Sequence, residues 1–595
     1  MTIARDWLHA SDLPARWNGA ERFVVLDAAF DDGARFRACR EAWREHAERG
    51  TLHYLAITRA LPADGWLLAP APPSTPDFHR FAFDDGALQL LLIVGTLRKR
   101  LAQIAATVDA FWFDDQALAG DDDPAWPQRL FKAAARLAAP AATLALASPG
   151  AAALAALRSA GFAVDDDASQ PLLSARYAPP FKPRSSLQRA VPAAADREVL
   201  VIGAGLAGCA TAWALAEQGW HSTVVDRQPA PAREASGNPA GLFHGIVNPQ
   251  DGAHARFNRA AALEAQRAVQ VATRHHGAAG NSAGLLRLET TLTDVAAMQA
   301  VLQRLGLPAG YVQALSAEAA SAAAGIALSH PCWHYPGGGW VDPAGLARAF
   351  LERAGTRATF RGGLAVNALR RSADGMRWQA LDAAGRVLAE SSTVVLAVGG
   401  DAAALLGRPA TPALQRVRGQ LSIAPRATLA EALPGLTLPL VPVAGAGYLL
   451  SAIDGAAVFG ATAQYGDDDA AVRVADHALN LAALRRLTGL PFAVDGSALQ
   501  GRTAWRCVSG DRLPCIGAVA DEGAPFATER VQRMPRLLGL YTFSALGSRG
   551  ITWAALGAQL LASTIIGAPL PLPVALRDAV DPARFALRRQ RRGER

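Results

Sequence analysis

The segment Val199-Leu-Val-Ile-Gly203-Ala-Gly205-Leu-Ala-Gly208 limits the folds open to this chain more than any other. A short apolar run enters a glycine triplet, and the alanine-rich stretch Cys209–Gln218 leaves it with helical composition. A second apolar run, Ser222-Thr-Val-Val-Asp226, follows, so the pattern reads strand, tight turn, helix, strand. In that setting Gly203 permits the turn, Gly205 lets the backbone approach a pyrophosphate, and Gly208 lets the helix pack closely on the strand. The N-terminus of the helix offers unsatisfied N–H groups to the phosphate charge. Asp226, roughly 20 positions beyond the loop, has the spacing of an acid that accepts from adenosine ribose hydroxyls, and Arg227 follows it. The segment reads as a dinucleotide-binding unit.

Later segments extend the contact surface for such a ligand. Ala235-Ser236-Gly-Asn238-Pro-Ala-Gly241 is a small-residue loop suited to close backbone contact. Thr393-Val-Val-Leu-Ala-Val-Gly399-Gly400 is a strand ending in glycines, and Phe543-Ser-Ala-Leu-Gly547-Ser548-Arg549-Gly550 precedes the helical run Trp553–Ile565. Contacts spread over so long a stretch suit FAD better than a nicotinamide dinucleotide.

At 51% hydrophobic and 19% charged over 595 residues, the composition is that of a globular protein of about three or four units. Prolines and small polar residues over 178–197 read as a linker. Before it, residues 22–176 alternate strand-like runs with helical ones, as in an open parallel sheet. The formal charge of +7 invites a nucleic-acid reading. Yet only Lys99, Lys132 and Lys182 are lysines, so the basic balance reflects arginine bias rather than a nucleic-acid surface. Much of the excess lies in residues 581–595, which read as a frayed, solvated basic tail. Five cysteines without C-x-x-C spacing point to reduced thiols and away from zinc. The aspartate runs Asp121–Asp123 and Asp165–Asp167 read as loops, and no metal site is expected. The N-terminus has no signal-like pattern and Leu88–Val94 is too short to span a bilayer. A cytoplasmic monomer without membrane attachment is expected.

On these motifs, residues 198–595 resemble the amine-oxidising FAD family that includes glycine oxidase and D-amino acid oxidase. Further matching segments are Gly338-Gly-Trp-Val-Asp342-Pro and Arg418-Gly-Gln420. More narrowly, Ala235–Gly241, Arg506-Cys-Val-Ser-Gly-Asp511-Arg512-Leu-Pro514 and Ala545–Gly550 make the whole chain similar to the bifunctional enzymes that modify the wobble uridine, U34, of tRNA. The resemblance implies an α/β protein: a Rossmann-like methyltransferase-type domain over 1–177, then an FAD-dependent amine oxidase-type module of two subdomains over 198–580. It implies tRNA as partner and oxidative removal of the carboxymethyl group from 5-carboxymethylaminomethyl-(2-thio)uridine, giving the 5-aminomethyl base. FAD would be held by Gly203, Gly205, Gly208, Asp226, Arg227, Ser236, Asn238, Gly399, Gly547, Ser548 and Gly550. A carboxylate-bearing substrate favours a bidentate guanidinium clamp, for which Arg506 and Arg549 are the candidates. No lysine follows Lys182, so a lysine of the flavin module is excluded as base.

The N-terminal domain departs from that resemblance. After the first strand only Gly33 stands where the family carries several glycines, and Asp31 and Asp32 crowd the turn. The second strand ends Ile57-Thr58-Arg59 without the expected acid. Asp114 matches the aspartate that opens the family's methyltransferase active-site motif, but the residues after it differ. The expectation is a retained fold with lost or weakened S-adenosylmethionine binding. The alternatives are a fully bifunctional enzyme that also methylates the aminomethyl group, a small-molecule glycine or D-amino acid oxidase, and a tRNA-binding scaffold.

Overall fold

The structure is a computed structural model and describes residues 2–593 apart from 29, 31, 47–49, 63–72, 120–122, 148, 166–171, 181–195, 293, 408–413, 453, 491–495 and 527. The chain divides into two compact units, Met1–Arg189 with Ser563–Arg577, and Ala190–Ala562 with Asp578–Arg595. Most of the linker expected over 178–197, and most of the two aspartate runs, lie outside the described residues.

The first unit is built on strands β1 (Arg22–Asp27), β2 (Thr51–Thr58), β3 (Phe78–Phe83), β4 (Leu88–Val94), β5 (Val108–Phe113), β6 (Ala138–Leu146), β7 (Phe162–Val164) and β8 (Leu173–Tyr177). They lie in the order β3-β4-β2-β1-β5-β6-β8-β7. The central pairings β4/β2, β2/β1, β1/β5 and β5/β6 are parallel, and the edges are antiparallel. Parallel strands must be covered on both faces, which is why β4 is buried at every position. The covering elements include helices α1 (Thr2–His9), α2 (Ala34–Glu45) and α3 (Trp126–Leu137). Leu130, Phe131, Ala134 and Leu137 form the buried stripe of α3 at helical spacing. Ser563–Arg577 completes this unit: the Leu570 N–H donates to the Ala105 carbonyl (3.0 Å) and Arg22 to that of Ile566 (3.0 Å).

In the second unit, β9 (Glu198–Ile202), β10 (His221–Val225), β11 (Ala358–Arg361), β12 (Thr393–Leu396), β13 (Cys515–Ala520) and β14 (Arg536–Ser544) form one sheet in the order β11-β10-β9-β12-β14-β13. All pairings are parallel except β13 with β14. Helix α4 (Leu206–Ala216) follows β9 and is buried along its whole length. A mixed sheet joins strands from Leu285–Leu288 to Gln500–Ser509 and supplies the second subdomain. Helix α5 (Gly550–Ile566) begins directly after the Gly-Ser-Arg segment.

The described part of the C-terminal stretch, residues 581–593, corrects the expectation of a frayed tail. Arg584–Arg591 form a helix, α6, and the Arg584 side chain is only 5% exposed. Arg584 donates from Nε and Nη2 to the two carboxylate oxygens of Asp511 (2.9 Å each), and Arg588 adds a third bond (2.6 Å). Arg589 pairs with Glu522, and Arg591 donates to the Glu529 carbonyl. Burial by itself would raise the Asp511 carboxyl, but the hydrogen bonds and charge of Arg584 and Arg588 carry it well below the usual carboxylate range. Four arginines that look free in sequence are thus held by partners distant in the chain. Because the Asp511 pKa is depressed, its contribution is full above ordinary carboxylate pKa values and is lost as pH falls through the folded value. Asp511→Ala is expected to destabilise α6 by about 3 kcal/mol, read as rapid tryptic cleavage after Arg588 or Arg589 under conditions where the parent chain resists.

Candidate active site

The loop after β9 is built by close backbone approaches that only glycine allows. Gly203 has φ +102°, and a Cβ there would lie 2.5 Å from the Ala397 carbonyl oxygen. A Cβ on Gly208 would fall 1.8 Å from the Gly203 carbonyl oxygen, so the start of α4 rests directly on the loop. Gly205 faces the Ser236 hydroxyl, which accepts from the Leu206 N–H (3.1 Å). Asp226, at the end of β10, accepts from the Ala204 N–H (2.7 Å) and the Gln228 N–H (2.8 Å). A carboxylate has about four acceptor sites, so Asp226 braces the loop and keeps capacity for ribose hydroxyls.

A cavity of about 510 Å³ opens from this loop. Gly203, Gly205, Asp226, Arg227, Ser236, Asn238, Gly399, Gly547, Ser548 and Gly550 all border it, as do Arg506 and Arg549. The structure therefore brings to one site segments that are far apart in sequence. Gly208 stands behind the wall and acts through packing. Arg227 is half exposed and pairs with Glu234 (3.1 Å) and Asp401 (3.5 Å), at the rim of the nucleotide end. Two motif residues prove structural. Arg418 is fully buried against Asp476 (2.6 Å), and Asp342 caps Pro343–Ala354 through the Ala344 and Gly345 N–H groups (2.9 Å each).

The mixed sheet and the start of α5 supply the other wall. Arg287, Tyr448, Arg506 and Arg549 border the cavity together with His244. Arg549 donates from Nη1 to Nε2 of His244 (3.1 Å), whose Nδ1 is engaged by the Gly245 carbonyl. Desolvation, followed by the charges of Arg549 and Arg287, pushes His244 well below its ordinary value, so it is neutral. Desolvation and the nearby charge of Arg287 bring the Arg549 guanidinium down to about 10. Desolvation also lowers Arg506, which donates to the Thr462 carbonyl (2.5 Å), and burial raises the Tyr448 hydroxyl to about 12. Among the described residues no carboxylate pairs with Arg287, Arg506 or Arg549.

Sequence reading missed Arg287, His244, Tyr448 and Arg502. Arg502 donates to Asn238 Oδ1 (2.6 Å) and to the Arg233 (3.0 Å) and Glu234 (2.8 Å) carbonyls, fastening the loop over 235–241. None of the four sits in a glycine-rich motif. Their common signal, a polar side chain on an otherwise apolar strand or loop, is too frequent to single them out.

Asp114 lies in the first unit. It follows β5, accepts from the Ala117 N–H (3.0 Å), and faces Arg35 of α2 (3.7 Å).

The glycine cradle, the braced Asp226 and the start of α5 on the same cavity fit a long dinucleotide with a planar ring system at the cationic end. Fold and site together define an FAD-dependent oxidoreductase acting on C–N bonds. The family model described as "FAD dependent oxidoreductase" matches residues 198–564, and one described as "S-adenosyl-L-methionine-dependent methyltransferase" matches 65–171. The chain belongs to the family of the tRNA 5-methylaminomethyl-2-thiouridine biosynthesis bifunctional protein MnmC. It is 43% identical to the protein of that name from Methylibium petroleiphilum, over 98% of this chain and 93% of that one. With the Burkholderia vietnamiensis protein the identity is 40%, over 97% and 92%. The L-proline dehydrogenase from P. horikoshii shares the fold of the second unit's kind, at 18% identity and TM-score 0.50, covering 68% of this chain and 100% of that one. Among the described residues no helix is long and apolar enough to cross a membrane.

Gly208→Ala places a methyl group against backbone that cannot yield without opening the loop. The variant is expected to fold, by circular dichroism, but to purify with little or no flavin absorbance.

Proposed function

We propose that this chain acts on the wobble uridine of tRNA, removing the carboxymethyl group from 5-carboxymethylaminomethyl-(2-thio)uridine to leave the 5-aminomethyl base. The observation that carries the reading is the group of guanidinium groups at Arg287, Arg506 and Arg549, which face the cavity without a carboxylate of their own. The substrate side chain is an N-substituted glycine, so it brings the missing carboxylate next to the amine that is to be oxidised. The names of the relatives supply the tRNA and the thiouridine. A substrate of that kind places the work in the cytoplasm, and the reaction needs neither a metal nor a second copy of the chain.

FAD held by Gly203, Gly205, Asp226, Ser236 and Gly547 would supply the two-electron oxidation of the carbon between the substrate's nitrogen and carboxylate, and hydrolysis of the oxidised side chain would release glyoxylate and leave the primary amine. The protein's share is to hold that carbon in place. Arg549 and Arg506 bind the carboxylate through charge-assisted hydrogen bonds, which are stronger in a water-poor site. Nε2 of His244 accepts from Arg549 and its Nδ1–H donates to the Gly245 carbonyl, so the neutral ring orients Arg549 and takes no part in proton transfer. Tyr448 keeps its proton and serves as a hydrogen-bond donor. The walls around the guanidinium groups exclude bulk water from the reacting carbon.

Incubating substrate tRNA with the flavin-loaded enzyme should convert the carboxymethylaminomethyl nucleoside to the aminomethyl one, seen by mass spectrometry of the digested tRNA. Rapid oxidation of free glycine or sarcosine with that nucleoside unchanged would sink the reading. Arg549→Gln is expected to raise KM by about 10- to 100-fold, the worth of one or two charged hydrogen bonds. Since the Arg549 pKa is lowered to about 10, its charge is complete at neutral pH and is lost as pH rises through that value. KM of the parent enzyme should therefore climb above pH 10, and that rise should be absent in Arg549→Gln.

A further inference from the structure

In an open α/β sheet, ligands settle outside the carboxyl ends of the strands where the strand order reverses. In the first unit the chain leaves β1 for β2, β3 and β4 on one side and returns to β5 on the other, so that point lies between β1 and β5. The groups at those two strand ends are Asp27, the last residue of β1, and Asp114, the first residue after β5. Between them stands Arg35 of α2, with Nη2 3.0 Å from Asp27 Oδ1 and 3.7 Å from Asp114 Oδ2. The side chains of Asp27 and Arg35 are 0% and 11% exposed.

The remaining contacts close the same place. The Tyr54 hydroxyl on β2 donates to Asp27 Oδ2 (2.6 Å), and the Trp7 ring of α1 lies against the Arg35 guanidinium, 4.9 Å from it. Between β1 and α2 the sequence has only one glycine, Gly33, and its described part is no glycine cradle. It plants the Phe30 side chain, 2% exposed, in the core beside Phe36, and its N–H bonds the Ile57 carbonyl (3.1 Å) at the end of β2. The next residue of β2, Thr58, turns its hydroxyl to the Ala60 carbonyl (2.6 Å) and offers no carboxylate to a ribose. An adenosyl sulfonium is a cation, and the cation this crevice accepts is already present as Arg35. An adenosyl ligand seated there would have to displace that guanidinium and break a buried ion pair.

We propose that the first unit takes no adenosyl cofactor, because the Arg35 bridge between Asp27 and Asp114 occupies the crevice that the fold provides for one. The matched methyltransferase segment, residues 65–171, then keeps the fold without the transfer. On the reading of the second unit given above, the product stays a primary amine. Any later N-methylation must come from a separate methyl-donor-dependent enzyme.

Equilibrium dialysis of the intact, flavin-loaded chain against radiolabelled S-adenosylmethionine tests the crevice directly. The expected result is no saturable binding up to millimolar ligand. Stoichiometric binding that S-adenosylhomocysteine displaces overturns the proposal. Digested tRNA should show the same aminomethyl nucleoside with and without S-adenosylmethionine, and appearance of the methylaminomethyl nucleoside would overturn it equally. Failure of the oxidation itself would leave the starting nucleoside in both samples and count against the second unit's reading, while dialysis still decides the crevice. Arg35→Ala leaves Asp27 buried without its cation. It should lower the melting transition of the first unit and leave the flavin spectrum unchanged, whereas an unmoved transition would mean that the bridge does not fill the crevice.

Discussion

The cofactor end of the second unit depends on one backbone contact, the seating of α4 on the loop after β9. With Gly208 against the Gly203 carbonyl oxygen, the helix starts as close to the strand as a polypeptide permits. That closeness turns the helix start toward the cavity. It also sets where β10 must end, because Asp226 reaches back to the Ala204 N–H at 2.7 Å. The loop over 235–241 then registers on the same helix start through Ser236 and is held from outside by Arg502. Each later contact presupposes the first.

The opposite wall follows another constraint. Guanidinium groups brought out of water without anions lower stability, and burial pulls Arg549 and Arg506 downward in pKa accordingly. The fold carries that cost at the cavity and compensates elsewhere. Arg418 with Asp476, and Arg584 with Asp511, are buried arginines with complete partners. The contrast between paired and unpaired arginines separates structural cations from those that await a ligand. The first unit shows the paired arrangement where its fold would otherwise admit a ligand, at Asp27, Arg35 and Asp114.

Much of this was legible in the chain. Gly203, Gly205, Asp226, Ser236, Gly399 and Gly547 sit on local patterns whose geometry is set within a few residues, and all border one cavity. The order of a methyltransferase-like unit before a flavin unit was legible too. Arg287 and Tyr448 were not: the parallel pairing of Arg287 with Ala444 joins strands far apart in sequence and brings Arg287 to the strand pair that carries Tyr448. The basic C-terminal stretch was misread for the same reason: the acid that holds Arg584 is Asp511, far earlier in the chain.

Sequence alone determined which backbone could approach a dinucleotide, since a missing Cβ is a property of the residue itself. It also determined that the flavin module has no lysine to offer. Tertiary structure decided which arginines remain available. Charge is a property of the residue, but availability depends on whether a carboxylate from another element lies within reach. For Arg549 none does among the described residues, for Arg584 Asp511 does, and for Arg35 two aspartates at adjacent strand ends do. The same side chain is therefore a candidate ligand clamp in one place, a brace in the second and a plug in the third.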